Sequence, residues 1–184
     1  MDDKYKLHHK PQKNSRFYQG YFTPKNPDKW VTKINEYRSR WEFAFMDWCD
    51  RNPQVLRVGS EPCAIQYRDP VANLEYCHKH NLDPNNPQNW KIRKYYVDMW
   101  VEFKTKGGEI KKIFIEIKPL KDTKKPDPLP ANAKLKEVNA YNRQMKIFLT
   151  NQAKWKAAKY EFNKRGCEFQ VFTEIELSDK LHLF

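Results

Sequence analysis

Two stretches in the middle of the chain alternate apolar and polar residues with a period of two, the signature of β-strands. In Tyr96–Phe103, Val97, Met99, Val101 and Phe103 alternate with Tyr96, Asp98, Trp100 and Glu102; in Ile113–Lys118, three isoleucines alternate with Phe114, Glu116 and Lys118. Gly107-Gly108 lies between them and suits the positive φ angles of a tight hairpin. A two-residue turn would set Asp98 against Ile117 and bury the wrong face. A three-residue loop, Lys106-Gly107-Gly108 with a glycine in the left-handed conformation, instead sets Val97, Met99 and Val101 opposite Ile117, Ile115 and Ile113. The same register puts Trp100 across from Phe114, Glu102 across from Lys112, and Asp98 across from Glu116. A one-residue slip would turn every side chain to the other face, so the hydrophobic pattern selects this pairing.

Around this hairpin the periodicity predicts further elements. Ile34, Tyr37, Trp41, Ala44, Phe45 and Trp48 recur at helical spacing, so a helix is expected over 34–50, stopped by Asn52-Pro53. Val55–Gly59 and Cys63–Tyr67 read as short strands. Asp69-Pro70 supplies an N-cap and a first-turn proline for a helix over 71–81. Pro119–Pro130 reads as a flexible lysine- and proline-rich loop, followed by a helix over 132–149. Thr150 is placed to cap a second helix ending at Gly166, and Cys167–Thr173 reads as a strand reached by a crossover. This order predicts an α/β domain with a mixed β-sheet flanked by helices. Residues 1–30, rich in lysine and proline, read as a basic arm before a single domain over 31–184, with an insertion at 68–93 and a Lys/Pro-rich loop at 119–131. Tyr18, Tyr21, Phe22 and Trp30 favour an arm whose second half is held against a surface.

Composition narrows the class. The 184 residues suit one domain, no apolar run is long enough to span a bilayer, and the start of the chain does not open a secretory signal. Cys49, Cys63, Cys77 and Cys167 lack Cys-x-x-Cys spacing, which fits a reducing, intracellular setting. The net charge of +12 is uneven: residues 1–40 contribute +6 and residues 104–165 contribute +11, whereas 41–103 come to −2 and the tail to −3. Basic flanks around an acidic centre are what a protein gripping a polyanion near a metal site would show. Charge alone does not separate DNA from RNA or from an acidic protein surface.

The acidic centre carries the chemistry. Two facing carboxylates raise each other's pKa unless a cation neutralises them, and oxygen ligands of this kind suit Mg²⁺. Lys118, one pleat from Glu116, is placed to stabilise charge on a phosphate or to position water. The alternative is a solvated acid pair with Lys118 as its salt-bridge partner. Tyr96, Trp100 and Phe114 on the same face argue that the face is covered, where an unpaired acid pair would be costly. Glu42 falls at the edge of the apolar stripe of its predicted helix, either looking into a site against the sheet or pairing with Arg38 at i, i+4. Cys77, His78 and His80 raise a zinc reading, but no second ligand pair accompanies them, and exposed helix residues explain them better.

An Asp on one strand followed by Glu-Ile-Lys on the next, here Asp98 and Glu116-Ile117-Lys118, resembles the PD-(D/E)xK nuclease superfamily, with Val97 where that name puts proline. Gly20–Pro27, Tyr37–Glu42, Phe114–Pro119 and Asn151–Ala158 are similar, in order, to the head completion nucleases of T-even-type tailed bacteriophages. The similarity runs from about Tyr18 to Thr173, and the link over 68–93 looks longer than its counterpart. The resemblance implies a restriction-endonuclease-like core and a Mg²⁺-dependent DNA endonuclease or exonuclease of phage head completion, Mn²⁺ being a substitute. It favours Glu42 as a third acid beside Asp98 and Glu116 as metal ligands, with Lys118 as the fourth catalytic residue. Arg38, Gln152, Lys154, Lys156 and Lys159 become candidate DNA contacts, although a polar first-turn role also explains Gln152. Expected partners are DNA and phage head, portal or neck proteins, with no membrane. The expected setting is the host cytoplasm during assembly, with retention at the head–tail neck as a further option. The alternatives are a neck or portal-associated DNA-contacting protein that keeps the fold as a plug, and a cellular DNA-processing nuclease of the same superfamily.

Overall fold

The structure, a computed structural model, describes residues 18–183. In chain order its elements are β1 (Gly20–Tyr21), β2 (Glu36–Tyr37), α1 (Arg40–Arg51), β3 (Val55–Ser60), β4 (Ala64–Tyr67), α2 (Pro70–Lys79), β5 (Arg93–Tyr96), β6 (Met99–Lys104), β7 (Ile110–Ile117), α3 (Leu135–Asn163) and β8 (Glu168–Phe172). The main sheet has the order β3-β6-β7-β8, antiparallel except for the parallel pair β7–β8 that α3 connects. Two further ribbons pair β1 with β2 and β4 with β5.

The predicted alternation sorts the sheet faces. Met99, Val101, Ile113, Ile115 and Ile117 bury against Phe45, Met46 and Cys49 of α1. On the opposite face Phe114 stacks on Phe162 of α3, with ring centroids 3.6 Å apart and planes 7° apart. There a second core gathers Ile65, Tyr67, Tyr95 and Val97 against Trp155 and Ala158. Helices thus cover both faces of a mixed sheet. Each large core side chain, such as Phe162, is worth about 3–5 kcal/mol against alanine.

The hairpin loop follows the expected geometry. Thr105 and Glu109 bracket Lys106-Gly107-Gly108, Gly108 has φ +86°, and the ladder pairs Met99 with Ile115, Trp100 with Phe114 and Glu102 with Lys112. The first strand, however, is not continuous from Tyr96. It starts at Met99, because Arg93–Tyr96 turns away to pair with β4 as a separate strand. Asp98 therefore lies at the break, outside the ladder, rather than directly opposite Glu116.

Other boundaries also move. The first helix begins at Arg40 and not Ile34, since Ser39 caps it and Glu36–Tyr37 is drawn into β2. The strands predicted at 55–59 and 63–67 form, but in different sheets. The predicted break at Thr150 is absent: α3 runs unbroken for 29 residues, and the Thr150 hydroxyl donates to Asp69 instead of capping a helix. The start of the expected flexible loop is tied down, because Asp122 accepts from Gln144 (3.0 Å) and Asn151 (3.3 Å) of α3 and Glu174 accepts from the Leu120 N–H (2.8 Å).

Of the basic arm, residues 1–17 lie outside the described residues, and the part from Gly20 is built into the fold. The Asp50 carboxylate accepts from the Lys25 and Asn26 N–H groups and from the Trp30 indole N–H. The Val31 N–H donates to the Val58 carbonyl at 2.8 Å. The inserted segment over 68–93 is also integral: α2 packs on α3, and Asn73 exchanges two hydrogen bonds with the backbone of Lys91.

Candidate active site

Glu116 sits on the α3 face of β7, next to Phe114, and is only 1% exposed. Both of its oxygens are held. Tyr95, on β5, donates its hydroxyl to Oε2 at 2.6 Å, and the Lys118 ammonium lies 2.8 Å from Oε1. Lys118 follows two residues later at the end of β7, where its N–H donates to the Phe172 carbonyl of β8 and fixes the backbone.

Asp98 reaches the same point from the break before β6. Its carbonyl accepts from the Glu61 N–H at 2.9 Å, prolonging the β3–β6 pairing, and its Oδ2 accepts from the Ile117 N–H at 2.9 Å. One side of the residue thus grips β3 and the other grips β7. Lys118 Nζ is 3.4 Å from Asp98 Oδ2 and 3.2 Å from the Ile117 carbonyl oxygen. The ammonium is seated among three oxygens.

Glu42 arrives from the first turn of α1. Ser39 Oγ accepts from the Glu42 N–H (3.1 Å) and donates to its Oε1 (2.9 Å), while the Arg38 N–H donates to Oε2 (2.8 Å). Ser39 thus caps the helix, and the bonds from its hydroxyl and from the Arg38 N–H, rather than from the N-cap N–H of a full capping box, aim the carboxylate. Burial and the charge of Asp98 push the Glu42 carboxyl up to about 7, against the pull of the Arg38 N–H, Ser39 and Lys118. Burial and Asp98 likewise push Glu116 up to about 7, offset by Lys118 and Tyr95. Lys118 is raised: burial lowers it, but Asp98, Glu116 and Glu42 together outweigh burial. Burial and the charge of Glu116 raise the Tyr95 hydroxyl far above its ordinary range.

Glu42, Asp98, Glu116 and Lys118 are therefore one electrostatic unit, formally −2 when all three acids ionise. Among the described residues no three His, Cys, Asp or Glu side chains stand at metal-ligand spacing, and here Lys118 lies between the acids. The donors nevertheless fit a hard divalent cation. They are all oxygens, they already accept a cation in the form of an ammonium, and their residual charge matches a 2+ ion.

The candidate DNA contacts separate. Lys154 of α3 is half-buried, with Nζ 5.4 Å from the centre of the Tyr95 ring; burial lowers it, Lys118 adds to this, and Glu116 and Asp98 oppose it. Gln152, Lys156 and Lys159 are exposed, on the flank of α3 away from Lys154. The Arg38 guanidinium does not pair with Glu42; it meets Glu61 at 2.8 Å and Glu36 at 3.5 Å. Cys77 is fully buried in α2, whereas His78 and His80 are exposed.

Sequence reasoning missed Tyr95 and Ser39. The Ser39-x-x-Glu42 spacing was a readable capping signal, whereas nothing local marks Tyr95, whose partner lies 21 residues away.

A mixed, helix-flanked sheet that brings an Asp together with Glu-x-Lys at a strand end defines a PD-(D/E)xK-type nuclease fold. Residues 52–174 match the family described as TnsA-like endonuclease N terminal, and the chain belongs to this nuclease family. It is also 33% identical over 159 residues to the protein named "Head completion nuclease" of Enterobacteria phage T4, an alignment that spans 85% of this chain and 91% of that protein. Among the described residues no helix is long and apolar enough to cross a membrane.

Proposed function

We propose that the chain is a Mg²⁺-dependent deoxyribonuclease acting in phage head completion, with Mn²⁺ as a substitute metal. The convergence of Asp98 and Glu116 on the Lys118 ammonium, with Glu42 coupled to the same group, carries this reading. Glu42, Asp98, Glu116 and the Ile117 carbonyl would hold the metal. When bound, the metal supplies Lewis acidity at the phosphate and lowers the pKa of water. Lys118 remains protonated at neutral pH, so its role is to donate hydrogen bonds to charge developing on the phosphate, not to act as a base. Tyr95 and Ser39 keep Glu116 and Glu42 oriented.

Lys154 is the inner DNA contact, and Gln152, Lys156 and Lys159 track the backbone further out. Arg38 joins them once DNA competes for it with Glu61. Phage head, portal or neck proteins are the proposed partners, in the host cytoplasm during assembly and, if retained, at the neck of the virion.

Linear and circular DNA incubated with the purified protein in Mg²⁺, Ca²⁺ or EDTA test this reading. Cleavage in Mg²⁺, weak cleavage in Ca²⁺ and none in EDTA are expected, and cutting of circles identifies endonuclease action. Undiminished cleavage in EDTA sinks the metal mechanism. A Glu116→Gln protein that loses cleavage yet still completes infectious particles replaces the enzyme with a neck plug.

A further inference from the structure

The β4–β5 ribbon has two faces with different fates. Its register pairs Ile65 with Tyr95 and Tyr67 with Arg93, and it pairs Ala64 with Tyr96 and Gln66 with Lys94. Ile65, Tyr67 and Tyr95 face inward and bury with Trp155, Ala158 and Phe162. This packing explains why a two-stranded ribbon is stable here, since an isolated one is marginal. Ala64, Gln66, Lys94 and Tyr96 on the outer face are all exposed, Tyr96 at 44%.

That outer face is chemically one-sided. The outward positions 64, 66, 68, 92, 94 and 96 contain Arg68 and Lys94 and no acid; Lys91 and Arg93 belong to the other face. Arg93 lies 3.8 Å from Asp69, and Lys91 sits over the Tyr76 ring. Arg68 and Lys94 are in no ion pair among the described residues. Ordinary solvated surfaces intersperse both signs of charge. Some lysines elsewhere find acids, as Lys112 finds Glu102 and Lys146 finds Glu75. The α3 lysines proposed as DNA contacts, Lys156 and Lys159, are in no ion pair among the described residues either.

The ribbon is also continuous with the catalytic centre. Tyr95, between Lys94 and Tyr96, holds Glu116, and Asp98 follows Tyr96 by two residues. Lys94 lies four residues before Asp98, at most about 13 Å along an extended chain. A duplex rises about 3.4 Å per nucleotide along each strand, so this distance covers only a few nucleotides.

We propose that the outer face of the β4–β5 ribbon is a second DNA-binding surface, holding the phosphate backbone of duplex DNA a few nucleotides from the bond that is cut. Arg68 and Lys94 neutralise phosphates, and Gln66 and the exposed Tyr96 hydroxyl supply neutral hydrogen bonds to the same backbone. The proposal rests on the nuclease reading for its substrate and assigns a role to a module that the catalytic residues alone leave unexplained.

The test is Arg68→Glu/Lys94→Glu, with Arg68→Ala/Lys94→Ala as a milder pair. Binding of a fluorescent 25-bp duplex is followed by anisotropy in EDTA over a range of KCl. The expected result is at least about a tenfold weaker Kd for the reversal, and a log Kd against log salt slope reduced by roughly two for the alanine pair. Both variants should melt at the parent temperature. In Mg²⁺, KM for duplex should rise while kcat at saturating DNA stays within about twofold of the parent. Unchanged affinity and slope overturn the proposal. So does normal DNA binding combined with loss of particle completion, which would assign the face to an acidic protein surface. Because binding is read without metal, failure of the nuclease reading, seen as no cleavage by the parent protein in Mg²⁺, is scored separately.

Discussion

Tyr95 and Glu116, 21 residues apart, are joined by a 2.6 Å hydrogen bond in which the buried phenol donates to the buried carboxylate. The phenol fixes one oxygen while Lys118 takes the other, so both ends of the Glu116 carboxylate are held. Tyr95→Phe removes the donor and keeps the ring. It should lower apparent Mg²⁺ affinity, or activity at fixed Mg²⁺, by roughly 10–100-fold, as removal of a ligand's hydrogen-bond partner does elsewhere. A Mg²⁺ titration of cleavage checks this; an unchanged titration curve would make the bond merely structural.

The raised acids predict how stability depends on pH. Glu42 and Glu116 titrate near 7 in the fold against an ordinary 4.5. Between those values the folded protein keeps protons that the unfolded chain has released. Metal-free stability should therefore fall as pH rises from about 4.5 to about 7 and level off above. Urea denaturation in EDTA measures this. Glu116→Gln should flatten the fall and match or exceed the parent at neutral pH, while abolishing cleavage. Adding Mg²⁺ should restore parent stability, since a ligand of the folded state stabilises it.

Ser39→Ala removes both the acceptor for the Glu42 N–H and the donor to its carboxylate. The loss should be about 1 kcal/mol in folding stability, the usual cost of a lost N-cap. Cleavage should fall about tenfold or more, because Glu42 loses its aim. Ser39→Thr should recover most of both. Equal loss of stability with unchanged kcat would confine Ser39 to capping.

The lysines of α3 should behave unequally. Lys154→Ala, next to Tyr95 and the carboxylates, should lower kcat as well as weaken binding. Lys156→Ala/Lys159→Ala, both exposed, should mainly raise KM and flatten the salt dependence. Steady-state kinetics at two salt concentrations separate the cases, and identical profiles would show that Lys154 is an ordinary backbone contact.

Asp50 ties Lys25, Asn26 and Trp30 to the end of α1. Burial alone would raise its carboxyl, but the Trp30, Lys25 and Asn26 hydrogen bonds hold it below its ordinary value. Its contribution is thus present above the unfolded pKa of about 3.9 and is lost as pH falls through the lower folded value. Asp50→Ala should cost about 3 kcal/mol at pH 7, as breaking a buried network does, and markedly less near pH 2. Denaturant curves at the two pH values test it.

Much of the hairpin is determined locally. The alternation from Met99 to Phe103 and from Ile113 to Ile117, with the Gly107-Gly108 loop, leaves one register that buries the isoleucines, so the strands, their pairing and the face of Glu116 follow from the sequence itself. Asp69-Pro70 and Gly166 mark a helix start and a helix end for equally local reasons. Tertiary structure decided what periodicity cannot express. The alternation read from Tyr96 to Phe103 suggests one continuous strand, yet the pairing of Arg93–Tyr96 with β4 breaks it at Val97–Asp98, swings Tyr95 onto Glu116 and leaves Asp98 to bridge β3 and β7. Thr150 looked like a helix boundary, but its side chain bonds to Asp69 and that of Asn151 beside it to Asp122, both remote in sequence, and the helix runs on. A strand's choice of neighbour and a side chain's choice of distant partner depend on which surfaces the whole fold brings together; alternation along one segment fixes only which of its faces is apolar.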